Sequence, residues 1–126
     1  MPKDLAGKIS DSELEVMKLL WHAEASLSIT EIREHLQQAK GWEPATIKTL
    51  VSRLVSKGAV RQEKQNVYYY SPLVSEEEYA SWATGDLITR LYNGSARDLV
   101  AALVHSECLT REDIEELRGM FRMEED

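Results

Sequence analysis

One cysteine, Cys108, stands in a chain of 126 residues, which excludes an internal disulfide and any site of several thiolates built from one copy. Long apolar runs are missing too; none approaches the ~20 residues that a bilayer-spanning helix needs. The opening Met1-Pro2-Lys3-Asp4 lacks the apolar region of a secretion signal, so the chain is expected to be cytoplasmic, without membrane insertion. No phosphate-cradling glycine loop, zinc-protease helix motif or nucleophile elbow is found, and no repeat or low-complexity segment. The acids at 76–78 and 112–116 read as capping and solvated helix residues rather than paired catalytic carboxylates. A non-enzyme is expected, with no catalytic residues, no cofactor and no metal site. His105 and Cys108, three apart, would offer two metal ligands, short of the four of a stable zinc site unless a second copy supplies the rest. His22 and His35 fall in separate helices with no evident pairing, and a redox role for Cys108 is open.

Hydrophobic residues make up 43% and charged residues 29%, enough to build a core for one domain, or for a small domain with an added oligomerisation segment. The net charge of −7 argues against a polyanionic partner, but it averages over a segregated chain. Residues 1–40 carry five basic and seven acidic side chains, residues 41–70 five and two, and residues 71–126 five and thirteen. Only the middle stretch is basic, and screening over ~10 Å or less in physiological salt confines each field to its own region.

Helix starts are marked by capping boxes at Ser10/Glu13, Ser28/Glu31 and Ser75/Glu78, preceded by Ile9, Leu27 and Val74, and by a looser Thr110/Asp113. Ser95 is a further N-cap, and Pro44 fits a first helical turn. The spacing predicts six helices near 11–24, 28–39, 44–57, 75–92, 95–106 and 110–122. Gly58 reads as a left-handed helix cap. After it, Val60 to Glu63 and Val67 to Tyr70 flank the polar turn Lys64-Gln65-Asn66, a β-hairpin ended by Pro72. Three helices and a hairpin followed by three helices is the plan of a mostly α chain: a winged helix-turn-helix domain near 1–72, then a three-helix domain near 73–126.

The third helix carries most information. Ile47, Leu50, Val51, Leu54 and Val55 form one apolar stripe; at about 100° per residue, Ala45, Thr49, Ser52 and Ser56 point away from it, with Thr46, Lys48 and Arg53 on the flanks. No acid occurs from Pro44 to Gln62. Such a face suits close approach to phosphates and base edges, although an isolated amphipathic helix with a solvated face reads similarly. The hairpin adds Arg61 and Lys64 beside Gln65 and Asn66, while Tyr68, Tyr69 and Tyr70 are expected to pack or pair across it.

Ile9-Ser10-Asp11-Ser12-Glu13-Leu14-Glu15-Val16-Met17 with Leu20-Trp21, Thr46-Ile47-Lys48-Thr49-Leu50 with Ser52-Arg53-Leu54, and Val67-Tyr68-Tyr69-Tyr70-Ser71 together resemble the penicillinase repressor family of bacterial winged-helix regulators. Its relatives include the β-lactamase, methicillin-resistance and copper-responsive repressors. Leu91-Tyr92, Leu99-Val100 and Ile114-Glu115-Glu116-Leu117 extend the likeness. The resemblance implies a homodimeric repressor on a double-stranded, palindromic operator of TACA and TGTA half-sites, read through Thr46, Lys48 and Thr49 with Ser52 and Arg53 nearby. Lys48 stands where relatives carry arginine, whose two-pronged grip on guanine lysine lacks. The resemblance also suggests a membrane sensor protease as partner. Ala102-Leu103, however, replaces the Asn-Phe bond cut in β-lactam-responsive members, and the paired Cys-x-Cys motifs of copper-responsive members are missing.

Dimerisation is also expected from the residues. Tyr79, Trp82, Ala83, Leu87, Ile88 and Leu91, then Leu99, Val100, Leu103 and Val104, then Ile114, Leu117, Met120 and Phe121 make three apolar faces that so small a unit struggles to bury alone. Packing against the winged helix is the other reading of these faces. The other functional class is a protein-interaction module whose acidic helical third recruits a partner.

Overall fold

A computed structural model describes residues 9–125, with side chains to Met123; Met1-Pro2-Lys3-Asp4 and Asp126 lie outside the described residues. The elements run α1 (Asp11–His22), β1 (Leu27–Ser28), α2 (Ile29–Lys40), α3 (Pro44–Ser56), β2 (Val60–Lys64), β3 (Tyr68–Pro72), α4 (Glu76–Tyr92), α5 (Ala96–His105) and α6 (Arg111–Glu125). They fall into two compact units, one ending at Thr84 and the other running from Gly85 to the C-terminus.

The expected caps form. Ser10 Oγ accepts from the Glu13 amide at 3.1 Å while the Glu13 carboxylate accepts from the Ser10 amide at 2.8 Å. The same reciprocal pair closes the starts of α2 (Ser28/Glu31), α4 (Ser75/Glu78) and α6 (Thr110/Asp113). Each satisfies two backbone donors that a helix start leaves orphaned, and the received hydrogen bonds hold the Glu31, Glu78 and Asp113 carboxyls below their ordinary pKa. At the far end of α3, Gly58 takes φ +80°, its amide bonds Val55 O and the Ala59 amide bonds Leu54 O, both at 3.0 Å. That pairing stops the helix and launches β2 with Leu54 and Ala59 both fully buried.

The expected hairpin is part of a larger sheet. Its three strands lie in the order β1-β3-β2, all antiparallel, with Leu27 opposite Tyr70, Ser28 opposite Tyr69, and Val60 through Lys64 opposite Pro72 through Tyr68. Pro72 ends β3 as its last residue rather than lying beyond it. The two-residue β1 shows no alternation of its own, and Leu27 and Ser28 already serve the α2 start; only the arriving edge of β3 makes them a strand.

One core lies under this sheet, formed by Val16, Met17 and Leu20 of α1, Ile32 and Leu36 of α2, Ile47, Leu50, Val51 and Leu54 of α3, with Ala59, Val60, Tyr70 and Val74. Val55, the last residue of the expected α3 stripe, is only partly buried at its margin. Trp21 closes the edge: its Nε1 donates to Val74 O at 2.8 Å and its ring lies 5.9 Å from that of Tyr79. Burial of four apolar side chains from one face of α3 fixes the rotation of that helix, so its polar face has to point outward.

In the second unit, Asn93 and Gly94 turn the chain with positive φ, and Ser95 caps α5 through the Asp98 amide at 3.2 Å. No described residue after Val74 is buried. Among the described residues no helix is long and apolar enough to cross a membrane.

Candidate nucleic-acid interface

The first unit divides its cations into two sets. Lys18, Lys40 and Lys57 are paired, the first two with Glu15 at 3.8 and 3.0 Å and the third with Glu13 at 2.5 Å. Arg33, Lys48, Arg53, Arg61 and Lys64 make no ion pair among the described residues, and all five lie on α2, α3 or β2. Lys57 counts as basic in the sequence of the middle stretch, but its charge is spent on a carboxylate only 2% exposed. Burial raises the Glu13 pKa; the Lys57 ammonium and the Ser10 amide outweigh it and hold the carboxyl below its ordinary value. The pair ties the start of α1 to the C-terminus of α3.

Ala45, Thr46, Lys48, Thr49, Ser52 and Arg53 are all exposed on α3. A shallow groove runs along Ala45, Lys48, Thr49, Ser52, Arg53, Ser56 and Lys57. Thr49 Oγ1 donates to Ala45 O at 2.9 Å, so its proton is committed to the helix and it offers outward an acceptor oxygen and a methyl group. The N-terminus of α3 starts at Pro44 after Glu43, whose side chain makes no cap bond.

A second recess of about 430 Å³ lies between α2, α3 and the hairpin, lined by Ile29, Arg33, Lys48, Val51, Ser52, Gln62, Lys64, Asn66, Val67, Tyr68 and Tyr70. No carboxylate borders it. Gln62 and Lys64 alternate with Arg61 and Glu63 along β2, so the pleat turns Lys64 toward α3 and Arg61 to the opposite face. The structure therefore brings Lys64 together with Lys48 and leaves Arg61 apart. The tyrosines pair as expected: Tyr70 is buried and its hydroxyl accepts from Gln62 Nε2 at 3.1 Å, and the Lys64 ammonium lies 5.7 Å from the Tyr68 ring centre.

Arg33 is the residue that the sequence reading misses. It sits one position after buried Ile32 on α2, and its Nε is buried without a hydrogen-bond partner. Its place beside Lys48 and Lys64 comes from the packing of α2 with α3 and the hairpin, which no local pattern displays.

The candidate dimerisation residues are placed less uniformly. Tyr79 lies against Trp21, and Trp82, Ile88, Leu99 and Leu103 are half-buried. Leu91 is 63% and Phe121 67% exposed, with Ile114 and Leu117 exposed as well. Ala102 and Leu103 are half-buried within α5. His105 and Cys108 are exposed; the Cys108 thiol lies 3.1 Å from Ser106 Oγ, and no group of three or more metal-ligating side chains is assembled among the described residues.

Residues 9–122 match the penicillinase repressor family. The penicillinase repressor of Bacillus licheniformis is 35% identical over 87% of this chain and 86% of its own length. The methicillin resistance regulatory protein MecI of Staphylococcus aureus is 36% identical over 90% of this chain and 93% of its own. The solution structure of the monomeric form of B. licheniformis BlaI in complex with the blaP half-operator superposes with a TM-score of 0.51 at 38% identity, over 57% of this chain and 88% of that one. With identity sustained over nearly the full length of the matched repressors, the chain belongs to the penicillinase repressor family of bacterial transcriptional repressors.

Proposed function

We propose that two copies of the chain bind an inverted-repeat operator and block transcription, each copy placing α3 in a major groove and the β2–β3 wing against the flanking backbone. The observation that carries this is the unpaired basic set on α2, α3 and β2. A solvated surface with both charge signs neutralises itself, as Lys18 and Lys40 do with Glu15, whereas these cations are left for an anion from outside. The BlaI half-operator complex, matched over the winged-helix part, supports DNA as that anion.

Within the face, Thr46 and Thr49 read base edges and Lys48 stands at the groove edge within reach of base or phosphate, with Ala45 and Ser52 small enough to let the groove edge come close. Arg53, Arg61 and Lys64 supply phosphate contacts, which give affinity and salt dependence but little sequence choice. The acids of residues 71–126 lie outside α2, α3 and β2, the elements that carry the unpaired cations, and salt screens each charge over ~10 Å. Residues 73–126 form the dimerisation domain. Tyr79, Trp82, Ile88, Leu91, Leu99, Leu103, Ile114, Leu117 and Phe121 supply its apolar surface, and a two-fold copy covers the part that α4–α6 leave exposed. The same two-fold axis sets the two α3 helices one DNA turn apart. The chemistry is binding, and the protein is a regulator rather than an enzyme.

The test is fluorescence anisotropy with a labelled duplex carrying a TACA/TGTA inverted repeat and a scrambled duplex, each across several salt concentrations. Selective binding that falls steeply with salt, at two chains per duplex, is the expected result. Weak, salt-insensitive and equal binding to both duplexes would sink the reading in favour of protein recruitment through the acidic helices.

A further inference from the structure

We propose that the recess between α2, α3 and the hairpin is a phosphate site, in which Arg33, Lys48 and Lys64 together hold one backbone phosphate of the bound duplex. This rests on the DNA-binding reading above and adds to it a specific pocket and a residue, Arg33, outside the recognition helix and the wing.

Three independent elements each bring one cation to this recess, and none of the three cations has a carboxylate partner among the described residues. A guanidinium without an acceptor is costly inside a protein, because its N–H donors lose water and gain nothing. Arg33 Nε is in that condition: buried and without a partner. Lys18, Lys40 and Lys57 of the same unit have carboxylate partners, whereas the recess that Arg33 lines is bordered by none. The missing acceptor at Arg33 is therefore an external anion. Phosphate fits the donor set, since a guanidinium grips two of its oxygens in a planar fork while the two lysines act as point charges. The polar wall of Ser52, Gln62 and Asn66 adds donors that a phosphate oxygen accepts. Duplex DNA is the source that the location favours, because the recess opens beside the outward face of α3. Arg33 then acts as a positioning residue: it sets the depth and angle at which α3 enters the groove without touching a base.

The test compares wild type with Arg33→Gln and Arg33→Lys by anisotropy on the inverted-repeat and scrambled duplexes over a salt series, with thermal unfolding of each variant as the control for folding. Arg33→Gln is expected to lose roughly tenfold in affinity on both duplexes, with the selectivity ratio kept and the salt slope reduced by about 1 per chain. Arg33→Lys is expected to keep the wild-type slope and recover part of the affinity. In wild type, the Arg33 Nε–H resonance shifts on adding duplex and not on adding millimolar inorganic phosphate. A shift with inorganic phosphate alone would instead assign the recess to a free anion and overturn the DNA-phosphate assignment. If wild type binds the operator and Arg33→Gln binds it equally well with an unchanged slope, the phosphate site is wrong while the repressor reading stands. If wild type binds neither duplex, both fall together.

Discussion

Among the described residues, the chain from Ile9 to Val74 buries thirteen apolar side chains in a closed core and leaves five cations unpaired; from Glu76 onward it buries none and pairs Arg90, Arg97 and Arg118 with neighbouring acids. The two regions are thus unfinished in opposite senses. The first has satisfied its hydrophobic requirement by itself and keeps electrostatic capacity for a partner of opposite charge. The second pairs three of its five arginines with neighbouring acids, keeps an excess of acids, and leaves apolar surface open to solvent, including Met123 at 80% exposure. One chain therefore carries two surfaces of different physics; binding at the first would be weakened by salt and at the second would not.

Separating these two surfaces gives the largest expected effect. Replacing Ile114 and Leu117 together by aspartate places charges on the exposed apolar face of α6 without touching the core under the sheet. The chain is expected to sediment as a monomer, and affinity for an inverted repeat to fall by about 100-fold or more through loss of the linked second site, while half-site affinity is unchanged. Retained dimers and unchanged operator affinity would remove the contrast between the regions.

Leu54→Ala attacks the other side of the comparison. Leu54 is fully buried in α3, so a cavity costs about 3 kcal/mol of stability, read from urea unfolding followed by tryptophan fluorescence. Truncating Leu91, 63% exposed in one copy, is expected to cost far less at low protein concentration and more as dimers form.

Lys57→Met removes the partner of the Glu13 carboxylate and is expected to cost about 2 kcal/mol, less than for a fully enclosed pair because the Lys57 side chain is 24% exposed. The pH dependence has a definite sign. With its folded pKa depressed, Glu13 contributes stability that is present above the unfolded value, about 4.3, and is lost as pH falls through the folded value. Glu13→Gln should flatten that part of the acid-denaturation curve, and a curve identical to wild type would show that the pair contributes nothing.

Lys48→Ala sharpens the comparison at its finest point. A loss of about 1–3 kcal/mol confined to the operator duplex marks a base contact, whereas a uniform, smaller loss with a reduced salt slope marks a phosphate contact. The same anisotropy series reads both.

How much was legible follows the reach of each interaction. The caps at Ser10, Ser28, Ser75, Ser95 and Thr110, the stop at Gly58 and the apolar stripe of α3 involve residues three to five positions apart, so the sequence displays them directly. The outward, acid-free face of α3 follows from that stripe by helix geometry alone. The pairing of β1 with β3, the commitment of Lys57 to Glu13 across 44 positions, and the place of Arg33 beside Lys48 and Lys64 had no such local mark. Sequence by itself determined where the helices begin and end and which face of each is apolar, because backbone capping and amphipathic periodicity act within a turn or two. Which cations are spent inside the protein and which remain for a partner was decided only by tertiary structure, because a charge is neutralised by whatever the packed core brings within a few ångströms, however distant along the chain.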